Sequence, residues 1–158
     1  MRLGRAPLVC GMAITLADPG GPVEALKEST AALQTLIEAS KDDTYGAFVQ
    51  EVARDVAERA QNRENPLAGF KPDRQNTAQA VLDELRGVEY LLRTKATEQE
   101  HAEFREFLRV AAQRTALAAR EGGFLGIGGE RVSEREQEML ETIGEIFGAP
   151  RTDPSDLS

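Results

Sequence analysis

Few residues in this chain can do chemistry, and their scarcity excludes several reaction classes. His101 is the only histidine and Cys10 the only cysteine, so neither a Cys/His zinc cluster nor a Ser-His-Asp triad is readily assembled. Glu98 and His101 do stand at the Glu-x-x-His spacing by which di-iron bundles put two ligands on one helix face. Those bundles need the element twice, and here it occurs once, in the first turn of a helix. His101 therefore reads as a solvated side chain beside a capping box. Acids are abundant, 27 Asp and Glu against 19 Lys and Arg, but nothing selects a pair of them for paired-carboxylate hydrolysis. The chain reads more readily as a binding module than as an enzyme, with the enzyme reading left open.

A second chemical candidate is the stretch from Glu121 to Ser133, where five glycines fall within the eight positions 122–129. Glycine is favoured where the backbone takes positive φ or where a ligand or another chain comes close. The stretch also carries Phe124, Leu125 and Ile127, which must pack against something apolar. It has three readings. As an anion cradle it would offer backbone amides ahead of a helix N-terminus, although it follows a helix, lacks Gly-Lys-Ser/Thr and lies among acids. As an interaction loop, Phe124, Leu125 and Ile127 would anchor in a partner or a symmetry mate. As a structural loop, the same three would plug the end of a bundle.

The elements that position these residues are helices. Alanine, glutamate, leucine and arginine dominate, Trp is absent and β-branched residues are sparse, which favours one all-α domain over residues 1–150 and a polar tail over 151–158. The apolar run Leu8–Ala17, preceded by Arg2 and Arg5, resembles a secretory leader superficially, but at ten residues it is too short to span a bilayer and reads as a buried first helix. Cys10 is expected as a small core residue within it. Helix two is expected over Pro22–Ser40, with Ala32, Leu33, Leu36 and Ile37 on its inner stripe. Asp42 or Asp43 would cap helix three, Thr44–Arg63, and Asp73 would cap helix four, Arg74–Arg93. Thr97-Glu98-Gln99-Glu100 and Ser133-Glu134-Arg135-Glu136 are capping boxes that open helices five and six, the latter ending near Gly148. A formal charge of −8 repels phosphate backbones and argues against nucleic acid as a partner.

A weak internal repeat runs through this six-helix pattern. An alanine-rich helix ends in an acid and glycines at Ala13-Ile14-Thr15-Leu16-Ala17-Asp18-Pro19-Gly20-Gly21, and again at Ala116-Leu117-Ala118-Ala119-Arg120-Glu121-Gly122-Gly123. Together with Val132-Ser133-Glu134-Arg135-Glu136, these corners resemble the TerB family of tellurite-resistance proteins. That family's helical repeats carry an alanine-rich helix, an Ala-Asp-Gly corner, then a hydrophobic residue, a Ser or Asp cap and a Glu. Asp18 matches the first corner aspartate, with Glu24 or Glu28 nearest to its helix glutamate; Ser133 matches the second cap and Glu136 the second glutamate. The chain departs from the pattern at Pro19, at Glu121 and in the inserted 124–129 segment.

The resemblance implies a cytoplasmic, all-helical, acidic, stress-associated protein without a known reaction, whose corner acids hold metal ions. For this chain the metal candidates are Asp18, Glu24 and Glu28 at one corner and Glu121, Glu130, Glu134 and Glu136 at the other, with calcium or a similar divalent cation as the ligand. Such hard cations want several converging oxygens. The plainer reading is that acids near helix N-termini complement the helix dipole, which leaves Glu121, at a helix C-terminus, as the acid without that explanation. The expected function is thus a module that binds a protein partner, or a second copy of itself, and a divalent cation, with no membrane span. The alternative is a small-molecule or anion-binding protein with the loop 122–129 over a pocket between helices five and six.

Overall fold

A computed structural model of the chain describes residues 2–17, 22–72, 75–118 and 132–148, with the backbone alone at 22–29. These residues form six helices and no strand: α1 (Arg2–Ala17), α2 (Pro22–Ala39), α3 (Ala47–Gln61), α4 (Thr77–Lys95), α5 (Glu98–Ala118) and α6 (Glu134–Gly148). None is long and apolar enough to cross a membrane.

The architecture is a bundle around α1, which touches every other helix. Its sequence explains why it can be central. Small residues at Gly4, Ala6, Gly11 and Ala13 alternate with Val9 and Ile14, so neighbours approach from all sides, and residues 4–11 are buried without a break. A Cβ on Gly4 would lie 2.6 Å from Cγ2 of Val56 on α3. Pro7 sits within the helix and lacks the N–H that would bond the carbonyl of Leu3, a position that a buried rod tolerates when neighbours hold it on every side. The first helix therefore begins at Arg2, before the apolar run proper, and takes Arg5 inside with it.

The core continues through α4 and α5. Val81, Leu85, Val88 and Leu92 of α4 are buried, as are Phe104, Phe107, Leu108 and Ala111 of α5, each set at the helical period. Phe104 and Phe107 also meet the rings of Phe48 and Tyr45, with centroids 5.7 Å apart in both cases, which fastens α3 and the turn before it to α5.

Several sequence expectations need correction. On α2 the inner stripe is Ala32, Thr35, Leu36 and Ala39; Leu33 and Ile37 lie a further step round the helix and are 36% and 47% exposed. Helix three starts at Ala47 with Gly46 in the N-cap position and no side-chain cap, because Asp42 instead accepts from the amide of Thr44 at 2.9 Å within the preceding turn. The carboxylate of Glu103 occupies the space where a Cβ at position 46 would stand, so a side chain there would displace the end of that flexible residue. Helix four starts at Thr77 after Asn76, three residues later than expected, and Asp73 lies outside the described residues. Both capping boxes close as read: Glu100 Oε2 accepts from the Thr97 amide at 2.8 Å, and Glu136 Oε2 accepts from the Ser133 amide at 2.8 Å.

Candidate functional site

Between α5 and α6 lies a groove of about 420 Å³. Helical periodicity builds it: Arg105, Arg109 and Ala112 recur along one face of α5, and Gln137, Glu141, Gly144 and Gly148 along one face of α6. Ala112, Leu140, Ile143 and Phe147 make its floor, where the core comes closest to the surface. The helices thus leave an apolar floor between two polar edges, the usual form of a surface that receives another molecule.

The two edges differ in charge. On α5, Arg109 donates to Glu106 at 2.8 Å and to Gln113 at 2.8 Å. That hydrogen bond, with the charges of Arg109 and Arg105, holds the Glu106 carboxyl below its usual range against a smaller opposing effect of desolvation. Arg105 makes no ion pair among the described residues, so its guanidinium is available at the rim. The α6 edge is acidic: residues 137–148 contain Glu138, Glu141 and Glu145 and no basic residue.

Gly144 is the oddest residue on that edge. A glycine inside a helix is less stable than alanine by about 0.5–1 kcal/mol. At Gly4 such a loss is explained by a neighbour that takes the space, Val56, whereas Gly148, at the end of α6, shares the open surroundings of Gly144. At Gly144 an added Cβ would meet nothing within 4 Å among the described residues.

Two buried ionic contacts lie away from the groove, and both start on α4. Glu84 Oε1 accepts from Arg5 Nε at 2.8 Å and from Arg2 Nε at 3.0 Å, while Arg5 Nη1 donates to the carbonyl of Ala68 at 2.6 Å. One carboxylate thereby joins α1 to α4, and one guanidinium adds the 62–76 connection. Glu89 Oε2 contacts His101 Nε2 at 2.8 Å, and its Oε1 is buried with no hydrogen-bond partner among the described residues. This overturns the reading of His101 as a solvated side chain: it is 8% exposed. The signal was present in the spacing, because His101 continues the buried stripe of Phe104, Leu108 and Ala111 by one turn. The pairs act as ties between helices, since among the described residues neither belongs to a group of three or more His, Cys, Asp or Glu that could hold a metal ion. Cys10 is inert for a related reason, burial pushing its thiol pKa up to about 12.

Of the residues singled out as metal ligands, Asp18, Glu121 and Glu130 lie outside the described residues, and Glu24 and Glu28 fall on the part of α2 described by its backbone alone. Glu134 stands exposed in the first turn of α6, where it complements the helix dipole. Glu136 is buried, and its Oε2 is taken up by the Ser133 amide. Among the described residues, no group of three Asp, Glu, His or Cys gathers to hold a metal ion. Phe124, Leu125 and Ile127 also lie outside the described residues, as does the whole glycine loop. The groove residues Arg105, Arg109 and Gly144 were not singled out from the sequence; an unexplained glycine within a helix was the one available signal.

Comparison of the chain with family models, with curated proteins and with solved structures finds no match.

Proposed function

We propose that this chain is a non-enzymatic, TerB-like helical module of the cytoplasm, associated with stress responses, which binds a protein partner across the α5–α6 groove. The observation that carries the reading is the combination of an apolar floor with Gly144, a helix glycine that no neighbour within the described residues explains. A surface open to close backbone approach suits an incoming helix or strand. The TerB-like part rests on the two corner motifs and the Ser133–Glu136 capping box. A divalent cation at Asp18 or Glu121 belongs to that part alone.

The test is site-specific photo-crosslinking in cells, with a benzophenone side chain at Gln113 or Gln137 on the groove rim and at Glu51 on the outer face of α3. Adducts at the two rim positions and none at Glu51 are expected. Equal labelling at all three, or none at the rim, would overturn the proposal.

A second reading is favoured by the groove volume, which lies in the usual range for small-ligand sites, and by the ion-pair-free Arg105 beside an apolar floor. In this reading the ligand is an amphipathic anion. Anilinonaphthalenesulfonate would then bind the folded protein, and both Arg105→Ala and Gly144→Leu would weaken its fluorescence response at least tenfold. A response unchanged by both substitutions would dismiss it.

A further inference from the structure

We infer that the partner across the α5–α6 groove is a second copy of this chain, related by a twofold axis that runs along the groove. The inference rests on the binding role given to the groove above and goes on to name the occupant.

Charge carries the choice. The α5 edge presents Arg105 and Arg109, with Glu106 held by Arg109. The α6 edge presents Glu141, with Glu145 on its outer flank and no base between Gln137 and Gly148. A twofold axis that runs along the groove exchanges its two sides, so α5 of one copy lies over α6 of the other, and each contact occurs twice. Under that operation the basic edge meets the acidic edge on both sides. An axis that laid α6 on α6 would instead face Glu141 and Glu145 with their own equivalents, which the charge pattern opposes.

The remaining features fit the same occupant. Ala112, Ile143 and Phe147 are already buried within one chain, so the affinity comes from Leu140, the one partly exposed floor side chain, and from the aliphatic stems of Arg105, Arg109, Gln137 and Glu141 along the edges. The exposed charge pairs, each worth little by itself, fix the orientation and reject wrong partners. Gly144 lets the α5 side chains of the second copy reach the α6 backbone. A protein of net charge −8 repels its own copies at long range, so a stable contact between two of them needs a complementary patch of this kind.

The twofold geometry makes a distinctive prediction about mixtures. Arg105→Glu with Arg109→Glu makes both edges acidic, and Glu141→Lys with Glu145→Lys makes both edges basic. All four positions are exposed, so both variants are expected to keep the helical circular dichroism and melting behaviour of the parent. In sedimentation equilibrium over a dilution series, the parent protein should approach twice the chain mass, and each variant alone should stay at the single-chain mass. An equimolar mixture of the two variants should return to twice the chain mass, because each contact then joins an acidic edge to a basic one. Gly144→Leu, which fills the groove, should abolish association without reversing any charge. A parent protein that stays at the single-chain mass throughout would overturn the inference. So would a dimer that both variants retain, or a mixture that fails to associate. Rim crosslinks to a different protein, with a monomeric parent, would remove the second copy as occupant and leave the groove's binding role standing.

Discussion

The seam between α1 and its neighbours and the seam between α5 and α6 are both lined by glycines, yet the glycines serve opposite ends. At Gly4 the missing side chain is replaced by Val56, so the residue exists to let two helices close. At Gly144 the missing side chain leaves open space among the described residues. The charges differ in the same sense. Arg5 is buried and bound to Glu84 and to the Ala68 carbonyl, whereas Arg105 stands at a rim without an ion pair among the described residues. A seam whose polar groups and volumes are matched internally has nothing left to offer a second molecule. Under the proposed function, a seam that leaves an apolar floor, a bare helix backbone and an Arg105 without an ion pair among the described residues finds its matching groups on a second molecule.

The comparison can be broken most severely at Glu84. Glu84→Ala leaves Arg5 buried without its counter-charge, which should lower stability by about 3–5 kcal/mol in chemical denaturation. A loss of under 1 kcal/mol would mean that the α1 seam is not closed by that pair. The same substitution at two glycines gives the next contrast. Gly4→Ala should destabilise by about 1–3 kcal/mol through overpacking against Val56. Gly144→Ala, measured at a dilution where the chain is a monomer, should stabilise by about 0.5–1 kcal/mol. Equal signs at the two positions would erase the distinction.

Cys10 offers a kinetic check on the closed seam. With its thiol buried and its pKa near 12, iodoacetamide labelling at pH 8 should proceed only as fast as the protein unfolds, and Glu84→Ala should accelerate it. Labelling faster than unfolding would place Cys10 in a seam that opens locally. The smallest effect concerns the exposed capping box at Thr97. Hydrogen bonds from the Thr97 amide and hydroxyl hold the Glu100 carboxyl below its ordinary 4.5. Its contribution is therefore complete above that value and is lost as pH falls through the lower folded-state pKa. Glu100→Gln should make the acid side of the stability profile slightly shallower, and a steeper profile would contradict the capping role.

Much of the fold was legible because helices announce themselves by period and by caps. The stripes of α4 and α5 and both capping boxes follow directly from residue spacing. Boundaries were less legible where a turn used local bonds that compete with capping, as Asp42 does by accepting from Thr44 rather than from the start of α3. Leu33 and Ile37 misled because an apolar side chain on a helix does not say which flank of the stripe meets a neighbour. His101 misled for the opposite reason: a polar residue in a first turn looked solvated until the partner, Glu89, came from another helix. The groove lies where a pocket between helices five and six was expected, but its lining was the least legible feature. Its floor is drawn from ordinary core positions, and only the packing of α5 on α6 turns Arg105, Glu141 and Gly144 into the edges of one surface.

The claim that the open seam is the functional face is tested most directly by amide chemical shifts of the isotopically labelled parent protein across a dilution series. The account predicts concentration-dependent shifts concentrated at residues 105–113 of α5 and 137–148 of α6, with the amides of Gly144 among the largest and those of α1 unmoved. Shifts centred instead on the exposed Leu33 and Ile37 of α2, or spectra that do not change with concentration, would contradict it.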